Sequence, residues 1–179
     1  MKPCELYKKT ADDILRACDQ EDSVPVDIKA ILEKLNISAI PLDFYEMEKK
    51  LKGKYRDRKI LGAMMSTDDK AAIFYNQNDK KDSHRARFTV AHELAHCCLH
   101  GPDPHIEFRM DGECESEEEL AANTFAGELL IPEKSLQKII AQLIVPSITA
   151  LADIFDVSFN VMKNRIIHLK WNDKVTGLD

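Results

Sequence analysis

The residues best suited to chemistry are His92-Glu93-Leu94-Ala95-His96. On a helix, side chains four apart share a face, so both histidines can offer a ring nitrogen to one ion. Glu93 lies about 100° round from His92, beside the ion rather than on it, where it can hold a water. That is the H-E-x-x-H arrangement: two zinc ligands and a general base in five residues. The same residues also arise by chance on solvated helix faces. Here the flanking Phe88, Val90, Ala91, Leu94, Ala95 and Leu99 are apolar, and a buried helix does not carry unpartnered His and Glu side chains cheaply. The metal reading is therefore the stronger one.

A catalytic zinc commonly takes three protein ligands and keeps one position for water. His100 continues the i, i+4 series, but it sits about 12 Å along a helix from His92, too far to share the ion. A metzincin would place Gly at 99 and His at 102, where this chain has Leu99 and Pro102. His105 falls in a Pro-rich turn, Gly101-Pro102-Asp103-Pro104, with no pattern behind it. The next helix, Ser116 to Pro132, offers Glu119 and Asn123 on one face with Ala122 and Ala126. Small residues there would let it pack closely on the motif helix. Glu119 would complete a His-His-Glu set, with Asn123 one turn on as partner of a ligand histidine. Yet Ser116-x-x-Glu119 is also a capping box, in which Glu119 returns to the Ser116 backbone. Clustered Glu in a first turn also suits the helix dipole. Glu115 and Cys114 are further alternatives, and spacing alone leaves the third ligand open.

The elements that must position these residues are legible in outline. Residues 4–20 read as a helix with Leu6, Ala11, Ile14, Leu15 and Cys18 inside. Pro25-Val26-Asp27 opens a second, carrying Ile28, Ile31, Leu32 and Leu35. Ile37 to Phe44 reads as a strand, and the charge-rich 46–59 as a solvated helix or loop. Two apolar runs, 60–65 and 71–76, flank the polar turn 66–70 and predict a hairpin. Asp82 or Ser83 can cap the motif helix. The expected result is a small sheet beside that helix, one edge of which could take an extended peptide. The strands could equally serve only to complete the core.

At 179 residues the chain suits one domain, with room for a small appendage. A net charge of -6 leaves no basic field to attract nucleic acid or an anionic membrane. No run approaches the length of a membrane span, and Met1-Lys2-Pro3-Cys4-Glu5 has no apolar leader core. The five cysteines, Cys4, Cys18, Cys97, Cys98 and Cys114, lack framework spacing and fit reduced thiols. A cytoplasmic protein is expected.

Two blocks together carry a family likeness: Arg87-Phe88-Thr89-Val90-Ala91-His92-Glu93-Leu94-Ala95-His96, and Glu119-x-x-Ala122-Asn123-x-Phe125-Ala126-x-x-Leu129-Leu130-Ile131-Pro132. Over roughly residues 8 to 170 the chain resembles the ImmA/IrrE family of metallopeptidases. The resemblance implies an α+β, zincin-like fold, with Zn2+ held by His92, His96 and Glu119 and with Glu93 as base. It also implies a protein substrate, a repressor of the helix-turn-helix type whose cleavage relieves repression.

The tail has its own pattern. Lys134 to Val145 reads as a helix broken by Pro146. Residues 147–166 have the spacing of a helix-turn-helix, with Asp156 where the turn usually has glycine. Residues 133–179 carry six Lys/Arg against five Asp/Glu, a poor surface for phosphates. That argues against DNA contact and for a packing or protein-recognition unit. Residues 1–132 are accordingly read as the zincin-like core and 133–179 as a helical segment packed on it. The competing reading is a non-proteolytic, metal-containing regulator that binds a partner protein or DNA. The intact Glu93 discriminates, since a structural site needs no base and tends to a closed four-ligand shell.

Overall fold

The computed structural model describes residues 5–51, 60–67, 70–78, 83–99, 105–110 and 116–178. The fold is α+β, as the patterns predict. Helix α1 (Ala11–Ala17) starts later than expected, because Thr10 caps it: Thr10 Oγ1 accepts from Asp13 N–H, and the Asp13 carboxylate accepts from Thr10 N–H in return. Leu6 is buried, as expected, but from the turn before the helix. Helix α2 (Ile28–Leu35) is capped by Asp27 and buries Ile28, Ile31, Leu32 and Leu35. Strand β1 (Ile37–Leu42) is followed by α3 (Tyr45–Leu51), the helical part of the charged run; residues 52–59 lie outside the described residues.

The predicted hairpin forms from β2 (Ile60–Ser66) and β3 (Ala71–Asn76), paired antiparallel with Met64 opposite Ile73. One strand was not anticipated. His105–Met110 is not a continuation of the proline-rich turn but β4, antiparallel to β2. The sheet order is β1-β3-β2-β4, so the hairpin strands are internal and the edges belong to β1 and β4. Strand alternation puts Gly62, Met64, Ile73 and Tyr75 on one face. The opposite face carries a second small apolar cluster of Phe44, Ile60 and Ala63.

Helix α4 (His84–Leu99) carries the motif across the first face and is buried almost throughout from Thr89 to Cys98. Ser83 caps it through its hydroxyl, which accepts from Ala86 N–H at 3.2 Å. Asp82 and His100 lie outside the described residues. Helix α5 (Glu117–Leu130) packs on α4, and Ala91 and Ala95 on one and Ala122 and Ala126 on the other are fully buried. Small side chains on both helices permit that approach.

The tail forms α6 (Glu133–Gln142), α7 (Ile148–Phe155) and α8 (Phe159–His168). Ile148, Leu151, Phe155, Met162 and Ile166 join the same apolar cluster as Leu94 and Leu129. Ser135 and Arg165 add polar ties, donating to the carbonyls of Glu21 and Ile131. Asp156, between α7 and α8, is left-handed at φ 53°. Its carboxylate meets Arg87 Nε of the motif helix at 3.0 Å and His84 Nε2 at 3.2 Å, and its carbonyl accepts from Arg87. A glycine would allow the turn but could not hold α4, which is the physical reason for an aspartate there.

Candidate metal centre

Helix α4 brings His92 and His96 one above the other, with ring centroids 4.8 Å apart, and both are buried. Their Nε2 atoms are 3.0 Å apart. Glu119, in the first turn of α5, reaches across so that Oε2 lies 3.2 Å from His92 Nε2 and Oε1 lies 3.3 Å from His96 Nε2. The Ser116 hydroxyl does cap α5, accepting from Glu119 N–H at 3.1 Å. The cap therefore uses the backbone of Glu119 while its carboxylate turns to the histidines. Of the capping box the hydroxyl half forms, and the carboxylate that could have completed it faces the histidines.

His92, His96 and Glu119 form a group that could hold a metal ion. The fit is good on two counts. An ion with bonds of ~2.1 Å to nitrogen and oxygen keeps neighbouring ligand atoms ~3.0–3.4 Å apart, the range observed here. The tautomer of His92 is also right: Asn123 Oδ1 sits 3.0 Å from Nδ1. An amide oxygen only accepts, so Nδ1 carries the proton and the Nε2 lone pair faces Glu119 and His96. Two imidazole nitrogens and a carboxylate converging in a buried place suit a cation far better than one another.

Glu93 is fully buried on the sheet side of α4. A Cβ at Gly62 of β2 would come within 2.7 Å of Glu93 Oε1 and 2.7 Å of Thr89 Cγ2. Only glycine lets the strand pass this close to the carboxylate. Sequence reasoning did not single out Gly62, although an isolated glycine inside a strand pattern is a known sign of close backbone approach. The strand's register shift between Ile60 and Gly62 marks the same place.

Other side chains near the motif fall elsewhere. Tyr75 faces α2 beside Ala86 and Val90. Val90 is two residues from His92, about 200° round the helix and so on its opposite face. His84 is engaged with Asp156, two turns before His92. Cys114 and Glu115 lie outside the described residues. Cys97 and Cys98 follow the second histidine but are buried, and burial pushes the Cys97 thiol up to about 12 and Cys98 further up. Such thiols are inert neutral packing groups rather than thiolate ligands.

No helix among the described residues is long and apolar enough to cross a membrane. No curated protein and no solved structure gives a significant match. The peptidase M78 family model, described as the IrrE N-terminal-like domain, does match, over residues 32–166. That span takes in the motif helix, the helix bearing Glu119 and most of α8, so the chain belongs to the M78 family, the metallopeptidases of the IrrE/ImmA type.

Proposed function

We propose that the protein is a zinc-dependent endopeptidase that cleaves a helix-turn-helix repressor and so relieves transcriptional repression. The observation that carries the reading is the placement of Glu93. It is buried directly beside a three-ligand set, against a strand whose glycine leaves room for its carboxylate. A metal site that only held the fold would gain nothing from a buried base beside it.

Zinc would be held by His92, His96 and Glu119, a nitrogen-rich set that suits it better than magnesium or calcium. When bound, it would act as a Lewis acid, acidifying the attacking water and polarising the scissile carbonyl. Glu93 accepts the proton of that water as its oxygen bonds to the acyl carbon. The same carboxyl then gives the proton to the leaving nitrogen as the carbon–nitrogen bond breaks, so one water is added across the peptide bond. Asn123 keeps His92 in the tautomer that presents Nε2. Burial of both histidines keeps bulk water from competing for these positions.

The choice of a repressor as substrate is supported by the likeness of the two motif blocks to the ImmA/IrrE family. The test is to incubate the zinc-loaded protein with a helix-turn-helix repressor from the same genome, with and without chelator. Cleavage that the chelator abolishes supports the proposal. A repressor left intact, while unrelated peptides are cut, would refute the substrate and spare the chemistry.

A further inference from the structure

Thr89 and Glu93 lie one turn apart on α4, on the side turned to the sheet, and both are buried. Helix α4 packs on β2, and the strand comes closest at Gly62. A Cβ there would lie 2.7 Å from Thr89 Cγ2, 2.7 Å from Glu93 Oε1 and 3.2 Å from Glu93 Cδ. The Thr89 methyl and the Glu93 carboxylate therefore stand side by side over one point of the strand. A helical Cα–Cβ bond tilts towards the N-terminus, so the Glu93 side chain leans back over the turn that carries Thr89. Thr89 is β-branched and 2% exposed, which leaves its side chain few orientations. Its methyl is a stiff neighbour for the base.

We propose that Thr89 is a positioning residue for the base: its methyl, with the Gly62 backbone, fills the space into which the Glu93 carboxylate would otherwise swing, and so holds it beside the metal ligands. A glutamate side chain turns about several bonds, and a proton acceptor displaced by ~1 Å can lose about 10²-fold in rate. The strand cannot fix the carboxylate alone, since Gly62 has no side chain to reach around it. Thr89 supplies that wall from the helix itself. A helical threonine has another habit, in which its hydroxyl bonds the carbonyl one turn back. Methyl and hydroxyl therefore make different predictions. The inference rests on the proteolytic reading of the metal centre.

Thr89→Ser removes the methyl and keeps the hydroxyl; Thr89→Val does the reverse. Both are zinc-loaded and given the peptide that the wild type cuts best from a proteome digest, with zinc stoichiometry and thermal melts alongside. Thr89→Ser should lower kcat roughly tenfold or more, with KM and zinc content unchanged. Thr89→Val, which restores the methyl, should recover all but about threefold of that loss. A second measurement needs no metal: urea melts of zinc-free wild type, Gly62→Ala, Thr89→Ser and the double variant form a cycle. The methyl added at Gly62 should lower the urea midpoint less in the Thr89→Ser background, where one group it meets is gone. Equal losses in both backgrounds, Thr89→Val as slow as Thr89→Ser, or Thr89→Ser at the wild-type rate would each overturn the inference and leave the protease standing. If Thr89→Ser does not fold, Thr89→Val decides alone: near wild-type kcat supports the methyl, and a fall of roughly tenfold overturns it. A digest left uncut by the wild type overturns the proteolytic reading and the role of Thr89 with it.

Discussion

Replacing Asn123 by alanine removes the one amide oxygen that meets His92 Nδ1, at 3.0 Å. Between neutral partners such a bond contributes about 0.5–1.5 kcal/mol net. The larger consequence is orientational: without Asn123 the imidazole can carry its proton on Nε2, the atom meant for the metal. Partners of this kind typically cost about 10–100-fold in metal affinity when removed, which is ~1.4–2.8 kcal/mol at about 1.4 kcal/mol per tenfold. The bond itself thus covers the lower part of the range and the lost orientation the rest. Asn123→Asp provides the contrast, since a carboxylate accepts the same N–H in a bond roughly twice as strong. It should bind zinc at least as tightly as the wild type. The assay is competition with a chromophoric chelator at one fixed pH, with thermal melts of the metal-free proteins as a folding control. Affinity of Asn123→Ala within about twofold of wild type would refute the assignment of Asn123 as the residue that fixes the His92 tautomer.

Three further perturbations test the surrounding scaffold. Gly62→Ala places a methyl 2.7 Å from Glu93 Oε1 and Thr89 Cγ2; overpacking of this kind costs about 1–3 kcal/mol, and a carboxylate moved by ~1 Å can lose about 10²-fold in rate. Hydrolysis should therefore collapse while zinc still binds, as read by dialysis and peptide cleavage side by side. At Asp156, alanine loses the carboxylate that meets Arg87 and His84 and is also strained at φ 53°. Glycine loses only the contacts, so urea melts should find Asp156→Gly about 1 kcal/mol more stable than Asp156→Ala. Hydrogen bonds from the backbone and hydroxyl of Thr10 hold the Asp13 carboxyl below its ordinary 3.8. A folded pKa below the unfolded one means stabilisation present above the unfolded value and lost as pH falls through the folded one. The Tm advantage of wild type over Asp13→Asn should accordingly shrink as the pH is taken below 3.8.

What the sequence discloses here depends on the range of the interaction. The motif helix and α5 are local statements, written in apolar spacing and in caps at Ser83 and Ser116, and Asn123 follows from them by helical geometry. The role of Glu119 was open because its one carboxylate could complete the capping box or join the histidines, and only the packing of α5 on α4 turns it to the histidines. Strand β4 does alternate, with Ile106, Phe108 and Met110 apolar, but the prolines before it dominated the reading. The late start of α1 turns on an aspartate doing the work of the usual Glu or Gln in the Thr10 capping box. Asp156 is another kind of miss. Its partner Arg87 is 69 residues away, and no local pattern announces a pair that only tertiary packing creates.

The central claim is that Glu93 is the base of a metal site built by His92, His96 and Glu119. The direct measurement is zinc stoichiometry and peptide cleavage for wild type and Glu93→Gln in parallel. Both proteins should hold one zinc per chain and melt alike, and only the wild type should cut. A Glu93→Gln protein that cleaves at the wild-type rate, or a wild type that binds no zinc, would contradict the account.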